Sequence, residues 1–319
     1  MDKLSLRGLI PAPFLPFDAD LKINTVEFGA YMKQMGQVKG LAGVAVNGHA
    51  GEVTALKPKE RQQVIEVARE NLPSSVPVFA GIQALSLEEA VERSREAENA
   101  GADGTLVLPP FDHYAYRTLA SRPNVPYEFF KGLSDSVDLP IIIFYYPKST
   151  GMNYPIGELE KIATVDNVVA IKALEGSSAE YYPIYKALKG KISVLASNDS
   201  PDLMGIMMLG SDGALIGVSS IGTQFWAQFV TACLEKRYTE ARDLFVQRLS
   251  PLTEEIFTPP PGRRDGANEA AGKEALMQLG IFSSSKVRPP KLNVSQKDKN
   301  VIHEVLLQTG LLESMVAAR

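Results

Sequence analysis

Along the 319 residues, short apolar runs recur at intervals, separated by longer stretches that mix apolar and charged side chains with helical spacing. Eight runs stand out: Gly8–Phe14, Leu41–Val46, Val76–Gly81, Gly104–Leu108, Pro140–Phe144, Val168–Lys172, Ile192–Ala196 and Gly213–Gly217. Each spans five to seven residues rich in Val, Ile, Leu and Phe. Such runs, with no polar alternation, are what strands buried on both faces require. The stretches between them read as amphipathic helices. Ser86-Leu87-Glu88-Glu89 sets a glutamate three residues after a serine, a capping box, and this helix runs to Asn99-Ala100-Gly101, where glycine can close it left-handed. Lys57–Arg69, Ile156–Ala163, Ser177–Leu188 and Pro201–Leu209 are similar, the last with Asn198, Asp199 or Ser200 available as its cap.

Strands alternating with helices build a parallel sheet, and eight of them either close into an α/β TIM (β/α)8 barrel or stay open as a doubly wound sheet. The open Rossmann form needs a G-x-G-x-x-G turn after its first strand, and Gly8–Asp18 has none. The pattern therefore predicts a barrel over residues 1–230. Phe225–Glu235, Tyr238–Glu255, Ala267–Leu279 and Lys297–Ala318 then read as helices with no strand between them. Pro259-Pro260-Pro261-Gly262 and Arg288-Pro289-Pro290 interrupt them as turns. Residues 231–319 are thus expected to form a C-terminal helical region packed on the barrel or on a partner subunit.

Composition refines this by exclusion. Apolar residues make up 45% and charged ones 22%, as in ordinary globular chains. With 33 basic and 37 acidic residues the formal charge is −4, which argues against nucleic acid as a partner. No apolar run approaches the ~20 residues of a membrane span, and Met1–Arg7 lacks the apolar stretch of a secretory signal. The single cysteine, Cys233, forms neither an internal disulfide nor a multi-thiolate zinc site, which fits a cytoplasmic setting. His49, His113 and His303 are far apart in sequence, so neither a metal nor a cofactor is expected. Gly266–Glu274 fails as a phosphate loop, its glycines one residue too far apart and its Gly272-Lys273 followed by Glu274. Asn198-Asp199-Ser200 and Asn293-Val294-Ser295 match the glycosylation pattern by chance if the chain is not secreted.

In such a barrel, chemistry gathers at the C-terminal ends of the strands. Lys172 ends the apolar run Val168–Lys172, where desolvation would lower its pKa and free an amine able to attack a ketone as a Schiff-base nucleophile. The alternative is a lysine that snorkels to solvent or pairs with Glu175. Gly48-His49-Ala50-Gly51-Glu52 follows the second run, and small residues there let backbone N–H groups converge on a carboxylate, unless the segment is simply a tight loop. In Phe144-Tyr145-Tyr146-Pro147, alternation puts Phe144 and Tyr146 on one face and Tyr145 on the other. A rim tyrosine can pass protons to a substrate, or merely pack beneath a loop.

Together these segments resemble the dihydrodipicolinate synthase / N-acetylneuraminate lyase family of class I aldolases. The resemblance runs in order through Gly8–Pro13 with Pro16-Phe17, Gly48–Glu52 with Leu56 and Glu60-Arg61, Gly101–Gly104 with Pro109-Pro110, and Pro140–Gly151. It continues through Val169–Lys172, Gly213–Ser219, Gly272–Leu276 and Val287–Pro290. It implies a TIM barrel, usually in a homotetramer or homodimer, that takes pyruvate or another small 2-oxo acid as an imine on Lys172. Gly48, His49, Ala50 and Gly51 would hold the carboxylate, and Gly217 and Ser219 would close the pocket.

The chain also departs from the family pattern. The loop threonine pair is His49-Ala50, and the proton-shuttling tyrosine is Phe144. Tyr146, on the same strand face, is the nearest catalytic substitute, with Tyr145 second. The arginine that the lysine-pathway branch carries two residues after Pro147 is Ser149, and Phe111-Asp112 stands where that branch has a tyrosine reaching across subunits. Three readings follow. One is a Schiff-base lyase, an aldolase or dehydratase. Another is 4-hydroxy-tetrahydrodipicolinate synthase itself, condensing pyruvate with aspartate semialdehyde. The third is a non-catalytic 2-oxo acid binder.

Overall fold

In a computed structural model that describes residues 4–110, 115–259 and 266–313, each of the eight apolar runs carries a parallel strand. They are β1 (Gly8–Pro11), β2 (Val44–Val46), β3 (Val78–Ile82), β4 (Gly104–Val107), β5 (Ile141–Tyr145), β6 (Val168–Ala173), β7 (Ser193–Ala196) and β8 (Gly213–Ile216). Their spatial order is β1-β8-β7-β6-β5-β4-β3-β2. A bridge between Leu9 and Leu41 brings β1 to the chain just before β2, with Leu9 N–H donating to Gly40 O at 3.0 Å and Ala42 N–H to Leu9 O at 2.8 Å. The result is a TIM barrel, as the pattern predicts.

Two strands are shorter than their runs by three residues each. β1 ends at Pro11 rather than Phe14, since prolines at 11 and 13 have no N–H to continue a ladder. β2 begins at Val44 rather than Leu41, after Gly43 takes φ +155°.

Helices fill the intervals. The serine cap holds as expected, with Ser86 Oγ accepting from Glu89 N–H at 3.2 Å and Gly101 taking φ +94° at the far end. Helices Thr25–Met35 and Val125–Ser134, with the shorter Ala115–Leu119, lie outside the stretches that the sequence pattern predicts. The first begins at Asn24, whose side chain accepts from Glu27 N–H at 3.1 Å, and the second carries Pro126 in its first turn. The expected cap of the helix Asp202–Leu209 does not form. None of Asn198, Asp199 and Ser200 caps it through its side chain. The Asp199 carboxylate instead accepts from Val218 N–H at 2.7 Å, and the Asn198 amide donates to Glu175 O.

Past β8, helices Thr223–Leu234 and Asn268–Gln278 fall on their expected stretches, while the helix expected over Lys297–Ala318 runs over Gln296–Gln308 and is broken by Gly310 at φ +68°. The stretch Tyr238–Glu255 differs. It is α-helical over Tyr238–Leu244 and Ser250–Leu252, with π-helical turns over Phe245–Leu249 and Thr253–Phe257. Pro251 cannot donate an i→i−4 bond, and the widened turns on either side accommodate that gap. Gly272 lets the helix Asn268–Gln278 lie on the barrel mouth, because a Cβ there would stand 2.1 Å from the Phe14 ring. Among the described residues no helix is long and apolar enough to cross a membrane. Phe111-Asp112, His113, Pro260–Gly262 and the end of the stretch Lys297–Ala318 lie outside the described residues.

Candidate active site

At the C-terminal end of β6, Lys172 stands among strands that are apolar on both faces, and only 7% of it is exposed. Its neighbour in register is Phe144 of β5, whose ring centroid lies 3.9 Å from Lys172 Nζ. Lys172 Nζ donates to Ser197 Oγ, just past β7, and Glu175 is not its partner. Burial pushes the ammonium pKa down to about 8, while the negative charge of Asp199 works the other way. Burial also raises the Asp199 carboxyl, against the pull of Lys172 and of the Val218 and Gly217 N–H groups.

Lys172 opens into a cavity of about 200 Å³ whose wall also includes Gly48, His49, Ala50, Asp199 and Gly217. The loop after β2 is held open at both ends by left-handed residues, Asn47 at φ +55° and Glu52 at φ +54°. Non-glycine residues adopt that conformation at a cost of about 1–3 kcal/mol and keep it only where their surroundings enforce it. Here β3 supplies one constraint. A Cβ at Gly81 would come within 2.0 Å of Asn47 O, so only glycine allows the loop to sit this close. Glu52 supplies the other. It is wholly buried and forms an ion pair with Lys273, also wholly buried, and it accepts Arg288 N–H at 3.1 Å. Inside the loop, Glu52 N–H donates to His49 O and Val53 N–H to Gly48 O. The N–H groups of Gly48, His49, Ala50 and Gly51 take no backbone acceptor among the described residues, and of these four residues Gly48, His49 and Ala50 line the cavity while Gly51 does not.

On the β5 side, His49 Nε2 and Tyr146 Oη are 2.6 Å apart. Their rings stack at 5.8 Å and 24°, and Phe144 packs edge-on against both. His49 is exposed at the cavity, yet desolvation by the protein around its ring, and then the charge of Lys172, hold its pKa below the ordinary imidazole value, so the imidazole is neutral near pH 7. Burial pushes the Tyr146 hydroxyl well above the ordinary phenol range. Tyr145, as alternation requires, turns the other way. It packs edge-on against Tyr154 with ring centroids 6.5 Å apart, and it faces the Glu175 carboxyl. Ser219 is buried beside the strand ends, and its hydroxyl donates to Ile216 O at 2.8 Å. Lys172, Gly48, His49, Ala50 and Gly217 therefore meet at one cavity. Tyr146 reaches it through His49, while Tyr145 and the Ser219 hydroxyl are engaged elsewhere.

Sequence reasoning missed part of the wall. Asp199 was read only as a helix cap, yet its position just past β7 is itself a site signal in a barrel. Ser197, two residues earlier, had the same signal. Phe257, Thr258, Asn268 and Glu269 come from beyond residue 230 and roof the same cavity. Glu269 accepts from Lys291 Nζ at 3.0 Å. Only tertiary folding brings these four to the strand ends, and no local motif marks them.

The profile of the dihydrodipicolinate synthetase family matches residues 5–309. The chain belongs to this family. The 4-hydroxy-tetrahydrodipicolinate synthase of Bartonella tribocorum is 30% identical over 312 residues, covering 97% of this chain and 100% of the relative. That of Methanothrix thermoacetophila is 28% identical over 302 residues, covering 94% and 96%. Among solved structures, dihydrodipicolinate synthase from Aquifex aeolicus superposes with a TM-score of 0.83 at 26% identity, covering 96% of this chain and 98% of that one. As a member, the chain is an enzyme of the class I aldolase type.

Proposed function

We propose that this enzyme is a Schiff-base lyase, an aldolase or dehydratase, that holds pyruvate or a related 2-oxo acid as an imine on Lys172. One observation carries this reading: a buried amine with a lowered pKa faces a cavity whose opposite loop presents unused backbone N–H groups. The substrate carboxylate rests on the N–H groups of the Gly48–Gly51 loop, which sets the C2 carbonyl against Lys172 Nζ. The neutral amine adds to C2, one proton is taken up from solvent, the C2 oxygen leaves as water, and a cationic iminium forms. That iminium withdraws electrons from C3, so a C3–H or C3–C4 bond can break to give a neutral enamine, and the reverse step makes a bond. Proton transfer falls to the His49–Tyr146 pair, since Phe144 has no proton to give. Gly217 leaves room for the imine, and Ser219 stiffens the turn after β8.

The test is reductive trapping. Borohydride with saturating pyruvate should add one covalent mass to the wild-type chain, mapped to Lys172, and none to Lys172→Ala. Absence of the wild-type adduct would sink the proposal.

The synthase activity named for the relatives is the second reading, favoured by those names. It predicts turnover of aspartate semialdehyde with pyruvate, and Ser149 in place of the branch arginine weighs against it. We further propose a cytoplasmic homotetramer or homodimer, an assembly that light scattering of the purified chain would check.

A further inference from the structure

The two members of the His49–Tyr146 pair are not equivalent. Among the described residues, the cavity wall that holds Lys172 includes His49 and not Tyr146. Nε2 of the His49 ring is committed to Tyr146 Oη at 2.6 Å. Nδ1 has no partner among the described residues, so it is the ring nitrogen left for a ligand. Phe144 fixes the geometry from below, its ring edge-on to His49 at 5.4 Å and to Tyr146 at 4.8 Å, with Lys172 Nζ over its face.

From this we infer that His49 itself transfers protons to and from the imine-bound substrate, and that Tyr146 is a positioning residue that fixes its ring and tautomer. The inference rests on the Schiff-base reading above. In the tautomer with Nε2–H donating to Tyr146 Oη, Nδ1 carries a free lone pair. On the iminium, Nδ1 takes the C3 proton, and the C–H electron pair becomes the enamine double bond. The positive charge moves from the iminium nitrogen to the imidazole, where the Tyr146 oxygen stabilises it. When the enamine attacks an aldehyde, the new C–C bond forms and Nδ1–H gives its proton to the aldehyde oxygen. Water then hydrolyses the iminium and restores the Lys172 amine.

The charges facing His49 fit this sequence. Lys172 and Lys291 oppose its protonation and Glu269 favours it. Once iminium becomes neutral enamine, the opposition from Lys172 disappears, so His49 is most basic when the proton arrives.

The decisive measurement is the exchange of pyruvate C3 protons in deuterated water, alongside borohydride trapping. General acid–base groups contribute about 10²–10⁴-fold, and His49→Gln should lose exchange by that factor while still forming the Lys172 adduct. His49→Ala should lose it equally and regain part of it with added imidazole. Tyr146→Phe should slow exchange less than tenfold, as a positioning residue does, and move the acidic limb of its pH profile to lower pH, because the imidazolium loses its acceptor. The inference is overturned if Tyr146→Phe abolishes exchange while His49→Gln retains it, or if imidazole restores nothing to a trapping-competent His49→Ala. A wild-type chain that forms no adduct fails the Schiff-base reading instead, so the two failures are distinguishable.

Discussion

At the scale of single residues, the state of Lys172, the proposed nucleophile, should set the pH dependence. Attack on a ketone needs the neutral amine, and burial brings the ammonium pKa down to about 8. Below that pH the rate of adduct formation with pyruvate should rise about tenfold per unit, and above it the rate should level off. Asp199 holds the pKa up, so Asp199→Asn should shift this limb toward acid while its amide oxygen still accepts from Val218. A stopped-flow pH series on the two proteins checks both points, and an unmoved limb would remove Asp199 from the account. Lys172 was legible in the sequence because a lysine ending an apolar strand is physically unusual. Its partner Ser197 was not, because nothing in a serine's neighbours says which side chain it meets.

At the scale of elements, the β2 loop depends on β3. Gly81→Ala places a methyl 2.0 Å from Asn47 O, and the contact is backbone, so the loop has to shift. Pyruvate affinity should fall at least tenfold with the Lys172 pKa little changed, as read by titration with pyruvate under trapping conditions. Strand order and the capped helices were readable, since buried parallel strands and serine caps leave local signatures. The helix Thr25–Met35 was missed even though Asn24 caps it. The long C-terminal helix was read as continuous across Pro251, and its π-turns express what a missing N–H does in a buried setting. His49 and Tyr146 were both singled out from the chain. Their 2.6 Å approach joins the β2 and β5 ends, which only barrel closure decides.

For the whole molecule, the Glu52–Lys273 pair ties the loop after β2 to the C-terminal helices in a place with no solvent. Burial lowers the Lys273 pKa to about 8, against the pull of Glu52. Lys273→Met removes the nearest cation from a buried carboxylate, leaving it Arg288 N–H and the more distant Lys291 at 3.9 Å, and should cost about 3–5 kcal/mol. Adding Glu52→Gln should recover much of that loss, since replacing both charges removes the unpaired one. Urea unfolding of the two variants measures the difference, and equal losses would mean the pair is not coupled.

The roof over the cavity also bears on how the protein is made. All eight strands have been synthesised by Ile216, but Phe257, Thr258, Asn268 and Glu269 have not, and the partner of Glu52 comes 221 residues after it. A ribosome paused after β8 therefore carries every strand of the barrel, an open mouth and a carboxylate that cannot yet be buried. Catalytic competence arrives late in translation, when the Lys273 helix settles onto Phe14, so a prematurely ended chain would lack a working site even with its nucleophile in place.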